Sequence, residues 1–567
     1  MKIRIGIFLV VVLALVSIAA SLEPPVQEIA DAGDPVWIPL VEGAIDYQLF
    51  LLSDPNKVYV TRMHRDNPNA FIESSIAQGR ISGAFETVRG MYFRYDQAIN
   101  YWDPDLTEPS SWGGRNRVVV AINGFFFDFG TGIPESGQVY SSWFTKRYEV
   151  NGFAEGFVWK SNGQAFMGEC IFQDPAQQNF IHIPTQTQVG LNGVNRGRDG
   201  NELILFTPQY GPSTLTPDKG ESVEVIVQVD GPTRLLQNNL GVTGVIREIR
   251  DGQGSSLIPF DHVVLSAHGL KKEALMAIPI AVGDPVEINQ RVQNEASQDC
   301  EVTQTIGWGL AYAGIGGYPT ILKNGEIFTP DPNGEFRNPR TAIAFDEQFV
   351  YFVVVDGRNP GVSVGMTHFE LATFIRDTLG ADWAINQDGG GSSTMVVNGT
   401  VVNNTTGNDA RCLPEETAEA TPSAETDQEL ERVIQGGNTI YLPAVRHCTP
   451  YERPVANGML MVVYEPLNRS VVFSPGQEVV TPAESTVRLG PGTNYAAITA
   501  VDAGTPGVIQ EDAHELEGVQ AKGHFWWKVA FGGLVGWVPE GDIAPLVQLQ
   551  AQPGVEPVQE IQPSLPE

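Results

Sequence analysis

Residues 383–402 read WAINQDGGGSSTMVVNGTVV, and most of the fold class can be worked out from this stretch. Trp383–Asn386 is a short apolar run, and residues 395–402 form two β-branched runs around Asn398-Gly399. An Asn-Gly pair supplies the positive φ angles of a tight hairpin. The glycine run between these strands is therefore held at both ends and reads as a fixed turn. Asn162-Gly163 and Asn324-Gly325 sit at the centre of similar apolar runs and predict two further hairpins.

Upstream, Tyr47–Leu52, Val58–Val60 and Phe349–Val355 read as strands. One helix is predicted from Thr367, where Glu370 completes a capping box; Leu371, Phe374, Ile375, Thr378 and Leu379 form its apolar face, and Gly380 ends it. The expected class is α+β and β-rich: a mixed-sheet domain with hairpins and few helices.

The chain has 567 residues, enough for two or more domains. Its formal net charge of −32 repels phosphate backbones and anionic lipid, so neither nucleic acid nor a membrane surface is an expected partner. Lys2 and Arg4 precede an apolar run from Ile5 to Val16 and then small residues, the layout of a secretory signal over 1–20. The predicted location is secreted or cell-envelope, with no membrane contact beyond that signal. Residues 21–44 are proline-bearing and read as a linker.

Residues 414–431 are acidic and nearly devoid of large apolar side chains, which predicts disorder. Cys412 and Cys448 bracket them. The four cysteines allow three pairings, of which Cys412–Cys448 with Cys170–Cys300 staples the base of this insertion. No cysteine or histidine spacing matches a metal site, so no metal or other cofactor is expected, and His262 and His268 read as structural.

The chemistry concentrates around the glycine run. Gly389, Gly390 and Gly391 allow a ligand close to the main chain, Ser392 and Ser393 add donors, and Asp388 adds a carboxylate at a strand end. Such a nest favours an anion, and phosphate is the commonest. Arg340 and Arg358 lie beside strand ends, and a guanidinium fork matches phosphate oxygens in pairs. Asp356 ends the strand Phe349–Val355, and Asn123 stands at the edge of the aromatic run Phe125–Phe127.

Together these residues resemble the phosphodiester glycosidases. The resemblance rests on Asn123-Gly124-Phe125-Phe126, Pro339-Arg340-Thr341-Ala342, Asp356-Gly357-Arg358, Asn386 to Ser393, and Glu452-Arg453-Pro454-Val455-Ala456-Asn457. It spans 45–465, with 403–450 as an enlarged insertion. Phe125 replaces a usual Gly, and Gln387 a usual Leu, placing a polar group next to the turn.

The resemblance implies hydrolysis of a sugar-1-phosphodiester at the anomeric carbon. Asp388, Asp356, Arg358 and Arg340 would be catalytic, and Asn123, Thr341, Gly389–Gly391, Ser392, Ser393 and Arg453 would bind substrate. The other readings are a non-catalytic phosphoglycan binder and a phosphatase, for which no P-loop or metal motif is present.

Residues 480–546 resemble a bacterial SH3-like (SH3b) domain through Val487-Arg488-Leu489-Gly490-Pro491-Gly492 and Gly536-Trp537-Val538. That resemblance implies a small β-barrel attached to cell-wall material. Residues 466–479 would then be a linker and 547–567 a disordered tail.

Overall fold

The computed structural model describes residues 36–102, 112–148, 155–217, 220–233, 239–296, 301–303, 307–329, 336–405, 430–435, 438–443 and 451–546. The signal, the start of the linker, nearly all of the acidic stretch, the tail, Cys300, Cys412 and Cys448 lie outside them. Cys170 is disulfide-bonded.

The sheet that carries the site has eight strands, in the order Ile38–Val41, Ile45–Leu52, Asn56–His64, Phe349–Val355, Arg340–Phe345, Trp383–Asn386, Thr320–Lys323 and Glu326–Ile327. Every ladder in it is antiparallel. The expected mixed pairing is confined to a different sheet. The described strands pair antiparallel throughout except for one short parallel ladder, Gly193–Val194 with Leu203–Phe206, in a separate sheet. Few helices were expected, and 9% of the described residues are helical against 47% strand. Ile38–Val41, read as the end of a linker, is the edge strand of this sheet.

Side chains alternate across a strand, and here the alternation sorts the site. Ala342, Ala344, Val353, Val355 and Ala384 face a core shared with the helix His368–Phe374. Ile343, Phe345, Phe352, Val354 and Ile385 face the opposite core. That second core is shared with a sheet built from Ala70–Ile76, Asn457–Pro466, Gly114–Asn123, Met395–Val397 and Thr400–Val401.

The helix has its predicted capping box: the Glu370 amide donates to Thr367 Oγ1 (3.1 Å), and the Thr367 amide to Glu370 Oε2 (2.9 Å). It then widens into a π-type turn, Ile375–Leu379, and ends at Gly380 with φ +75°. Leu371, Phe374 and Ile375 are buried against the sheet. Each contributes about 1.5–3 kcal/mol by leaving water.

All three Asn-Gly hairpins form. At two of them both turn residues have positive φ. The first is wider. The Lys160 amide donates to the Gln164 carbonyl, and of the turn pair only Gly163 has positive φ.

The C-terminal strands, from Glu478–Val480 to Ala544–Pro545, form one antiparallel sheet. Residues 466–479, expected as a linker, are built into this unit. The Ser470 amide donates to the Gly518 carbonyl, and Phe473 packs edge-on against Trp527. The unit is docked on the body: Lys522 Nζ donates to the Phe93 and Asp96 carbonyls at the C-terminus of the helix Val88–Tyr95. A cation there also meets the negative end of the helix dipole. The Phe260 amide donates to the Leu489 carbonyl, and Trp526, Trp527 and Trp537 are buried. Among the described residues no helix is long and apolar enough to cross a membrane.

Candidate active site

Arg340 opens its strand on the same face as Ala342 and Ala344, which directs it to the helix side. Its guanidinium is fixed on three sides. Nε donates to the Met366 carbonyl (2.9 Å), Nη2 to the Phe336 carbonyl (3.2 Å), and Nη1 lies 3.0 Å from His368 Nε2. An arginine only donates, so Nε2 accepts and the imidazole proton sits on Nδ1. His368 is the first residue of the capped helix, which fixes its position.

Asn386 and Asp388 lie two residues apart and share a face, and both line a cavity of about 480 Å³. Arg340, Arg358, Arg453 and His368 line it as well, with Asn338, Phe126 and Tyr318. Arg358 is exposed, at φ +58°, and its Nη2 donates to Asn338 Oδ1 (3.2 Å). Three guanidiniums thus converge on one cavity in a chain of net charge −32. A cavity of that composition selects an anion.

Asp388 is the carboxylate that lines the cavity. Burial pushes its carboxyl up to about 6, against the opposing pull of Ser392, the Arg453 charge and the Gly389 amide. The Glu135 charge pushes in the same direction as burial. A carboxyl near 6 exchanges protons close to neutral pH, as a catalytic acid or base requires.

Asn123 and Thr341, expected at the substrate, are buried behind the turn. Asn123 Nδ2 donates to the Asp388 carbonyl (2.7 Å), while its Oδ1 accepts from Thr341 Oγ1 (2.8 Å) and the Thr394 amide (3.1 Å). The Asp388 amide donates to the Gly124 carbonyl (2.9 Å). Asn123 therefore pins both the Asp388 backbone and a neighbouring strand.

Of the expected anion nest, Gly389, Gly390 and Gly391 line the cavity, but several of the turn's amides are already used. The Gly390 amide donates to the Pro339 carbonyl (2.9 Å), and the Ser392 and Ser393 amides close the turn on Gly389 and Gly390. Ser392 and Ser393 are buried. The glycines also allow close packing. Gly390 needs its φ of +63°, and a methyl group on Gly391 would collide with the Arg453 guanidinium. Charge for a bound anion comes from the arginines.

Asp356 and Gln387 point inward, on the parity of Val354 and Ile385. Asp356 is 3% exposed and does not line the cavity. Tyr59 donates to its Oδ2 (3.0 Å), Asn403 Nδ2 to its Oδ1 (3.1 Å), and the Asn404 amide to both oxygens (3.1 Å each). Burial and the Asp356 charge hold the Tyr59 hydroxyl protonated well above its usual range. Gln387 is fully buried beneath the turn and contributes no group to the cavity.

Among the described residues no cluster of three or more His, Cys, Asp or Glu side chains could hold a metal ion. His262 pairs with Asp261 (2.7 Å) and His268 lies 3.6 Å from Glu221, both away from the site.

The sequence model of the phosphodiester glycosidase family matches residues 237–418, a segment that contains Arg340, Asp356, Arg358, His368 and Asp388. No curated protein matches the chain. Among solved structures, a hypothetical protein from Synechocystis is 18% identical with a TM-score of 0.44, and the match covers 76% of this chain and 64% of that one. This chain therefore spans less than two thirds of that protein. A putative exported protein from Burkholderia pseudomallei is 16% identical with a TM-score of 0.39, covering 72% of this chain and 74% of its own. The zebrafish N-acetylglucosamine-1-phosphodiester alpha-N-acetylglucosaminidase catalytic domain, auto-inhibited by its pro-peptide, is 14% identical with a TM-score of 0.32. That match covers 76% of this chain and 84% of the zebrafish domain.

Proposed function

We propose that the protein is an exported hydrolase that cleaves the glycosidic bond of a sugar-1-phosphodiester, with an N-acetylglucosamine-like sugar, to give free sugar and a phosphomonoester. The observation that carries this reading is Asp388, raised to about 6, facing three arginines across one cavity. The family match over 237–418 supports it.

In this reading Arg340, Arg358 and Arg453 hold the phosphodiester. Water attacks the anomeric carbon, its proton passes to Asp388, and the carbon–oxygen bond breaks with its electron pair leaving on the phosphate. A phosphate ester is a weak base, so this departure depends on charge stabilisation more than on a strong acid. Asp356 holds the strand end that carries Arg358.

Export rests on the N-terminal signal layout, and the disulfide pairs Cys412–Cys448 and Cys170–Cys300 belong to the same oxidising compartment. The catalytic unit is assigned to 45–465, and the SH3b-like unit 480–546 is read as attaching the enzyme to cell-wall material. One observation favours a second reading, a phosphoglycan-binding protein without turnover: Asp356 is turned away from the cavity, so among the described residues Asp388 has no second aspartate beside it there.

Incubation with a synthetic N-acetylglucosamine-1-phosphodiester in isotopically labelled water separates the readings. Label in the sugar is expected. Label in the phosphate would overturn glycosidic cleavage, and binding without turnover would favour the second reading.

A further inference from the structure

A second cleft, of about 510 Å³, opens where the body meets the C-terminal unit and shares no lining residue with the Asp388 cavity. Arg80, Gln209 and Phe260 line it from the body, and Arg488, Asn494 and Tyr495 from the C-terminal unit. Concave sites of this size at the junction of two units commonly hold ligands.

Its polar chemistry is one-sided. Glu86 is the carboxylate in its lining, and Arg94 neutralises it (Nε to Oε2, 2.9 Å). Arg80 donates through Nη2 to Gln78 Oε1 (3.0 Å), and Arg488 through Nη1 to the Tyr495 carbonyl (2.9 Å). Among the described residues neither has a carboxylate within ion-pair distance. Gln209 also lines the cleft, and its Oε1 is taken up by the Thr207 hydroxyl (2.8 Å). Beside one buried acceptor, Asn494 Oδ1, the lining carries two guanidiniums that face no carboxylate among the described residues, and the matching ligand is negatively charged.

The apolar side of the cleft narrows the class. Phe260 and Tyr495 meet edge-on, with centroids 5.6 Å apart at 60°. Phe260 is buried behind this contact, against Trp112 and Trp537, so the half-buried Tyr495 is the ring open to a ligand, and it forms no parallel slot for a planar base. A sugar ring presents an apolar face to such a ring and hydroxyls to the amides beside it. The net charge of −32 opposes polyanions of high charge density, nucleic acid among them.

We infer that this cleft is a second binding site, for a glycan segment carrying a sparse anionic group, formed jointly by the body and the C-terminal unit. The inference does not depend on whether Asp388 hydrolyses anything.

The test is calorimetric titration of the full chain with three hexasaccharides: neutral chitohexaose, carboxylate-bearing hyaluronan hexasaccharide and a phosphate-substituted maltohexaose. At least one anionic hexamer is expected to bind at least tenfold tighter than chitohexaose, and which one binds identifies the anion as carboxylate or phosphate. Arg80→Glu is expected to weaken that binding at least tenfold with an unchanged melting temperature, while Arg453→Ala, in the other cavity, leaves it unaltered. Arg80→Gln, which keeps the polarity, should weaken it less and replaces Arg80→Glu if that variant does not fold. Absence of anionic binding at millimolar probe, equal binding of chitohexaose, or loss in Arg453→Ala without loss in the Arg80 variants would overturn the inference.

Discussion

The guanidinium of Arg453 packs directly on Gly391, so the glycine turn and the arginine from far along the chain fit each other without space for a single methyl group. Gly391→Ala should therefore displace Arg453 and raise KM for a phosphodiester about 10–100-fold, the range for losing a paired guanidinium contact. Arg453→Ala should do the same. The double variant should be no worse than either alone, because both remove one interaction. Steady-state kinetics on the three variants would show additive losses if the contact were incidental.

Asp388→Asn is expected to lower kcat at least a thousandfold while the chain stays folded. The parent kcat/KM should rise with pH through about 6 as the carboxylate forms. Near-normal turnover by the variant would remove Asp388 from the chemistry.

The same group predicts a stability signature. Raised from an ordinary 3.8 to about 6, it binds its proton more tightly in the folded chain than in the unfolded one. Its contribution to stability is therefore fully present below pH 3.8 and lost as pH rises through about 6. Asp388→Asn stays neutral throughout. It should match the parent near pH 3.5 and exceed it by about 1–3 kcal/mol at pH 7–8. Thermal melting across that range gives the answer, and a gap independent of pH would contradict it.

Asp356 should behave differently. Asp356→Asn sets an amide against the Tyr59, Asn403 and Asn404 donors and should destabilise the fold by about 2–4 kcal/mol. The folded fraction should retain kcat within a few-fold. A thousandfold loss of kcat in fully folded protein would return Asp356 to the catalytic step.

His368→Phe removes the acceptor that orients Arg340 and should reduce kcat/KM about tenfold. His368→Gln, which offers an acceptor oxygen in its place, should recover most of that. Equal losses in both would point to a role for the imidazole itself.

Much of this was legible in the residues. Asp388, Arg340, Arg358 and Arg453 sit in local patterns, and all four reach the cavity. Which way a residue faces was the weaker point. Thr341, Asp356 and Gln387 were read by their chemistry, yet the parity of Ile343, Val354 and Ile385 already sends them to the interior. His368 carries no signal of its own in the sequence beyond opening a capped helix. Asn403 and Asn404 were counted with the insertion, and nothing in a linear sequence brings them to a carboxylate 47 and 48 residues earlier. The glycine turn was legible only in part: Gly389, Gly390 and Gly391 reach the cavity, but a run of glycines does not reveal that the Gly390, Ser392 and Ser393 amides close the turn.

The docking of the C-terminal unit bears on how the molecule can be cut. A fragment stopping at Pro466 would strip Lys522 from the end of the helix Val88–Tyr95 and leave Phe260 facing water. A fragment starting at Glu478 would lose Phe473 from beneath Trp527. Neither half is an interchangeable cassette, and exchange of this unit between relatives should carry the 469–546 boundary and the surface that receives it together.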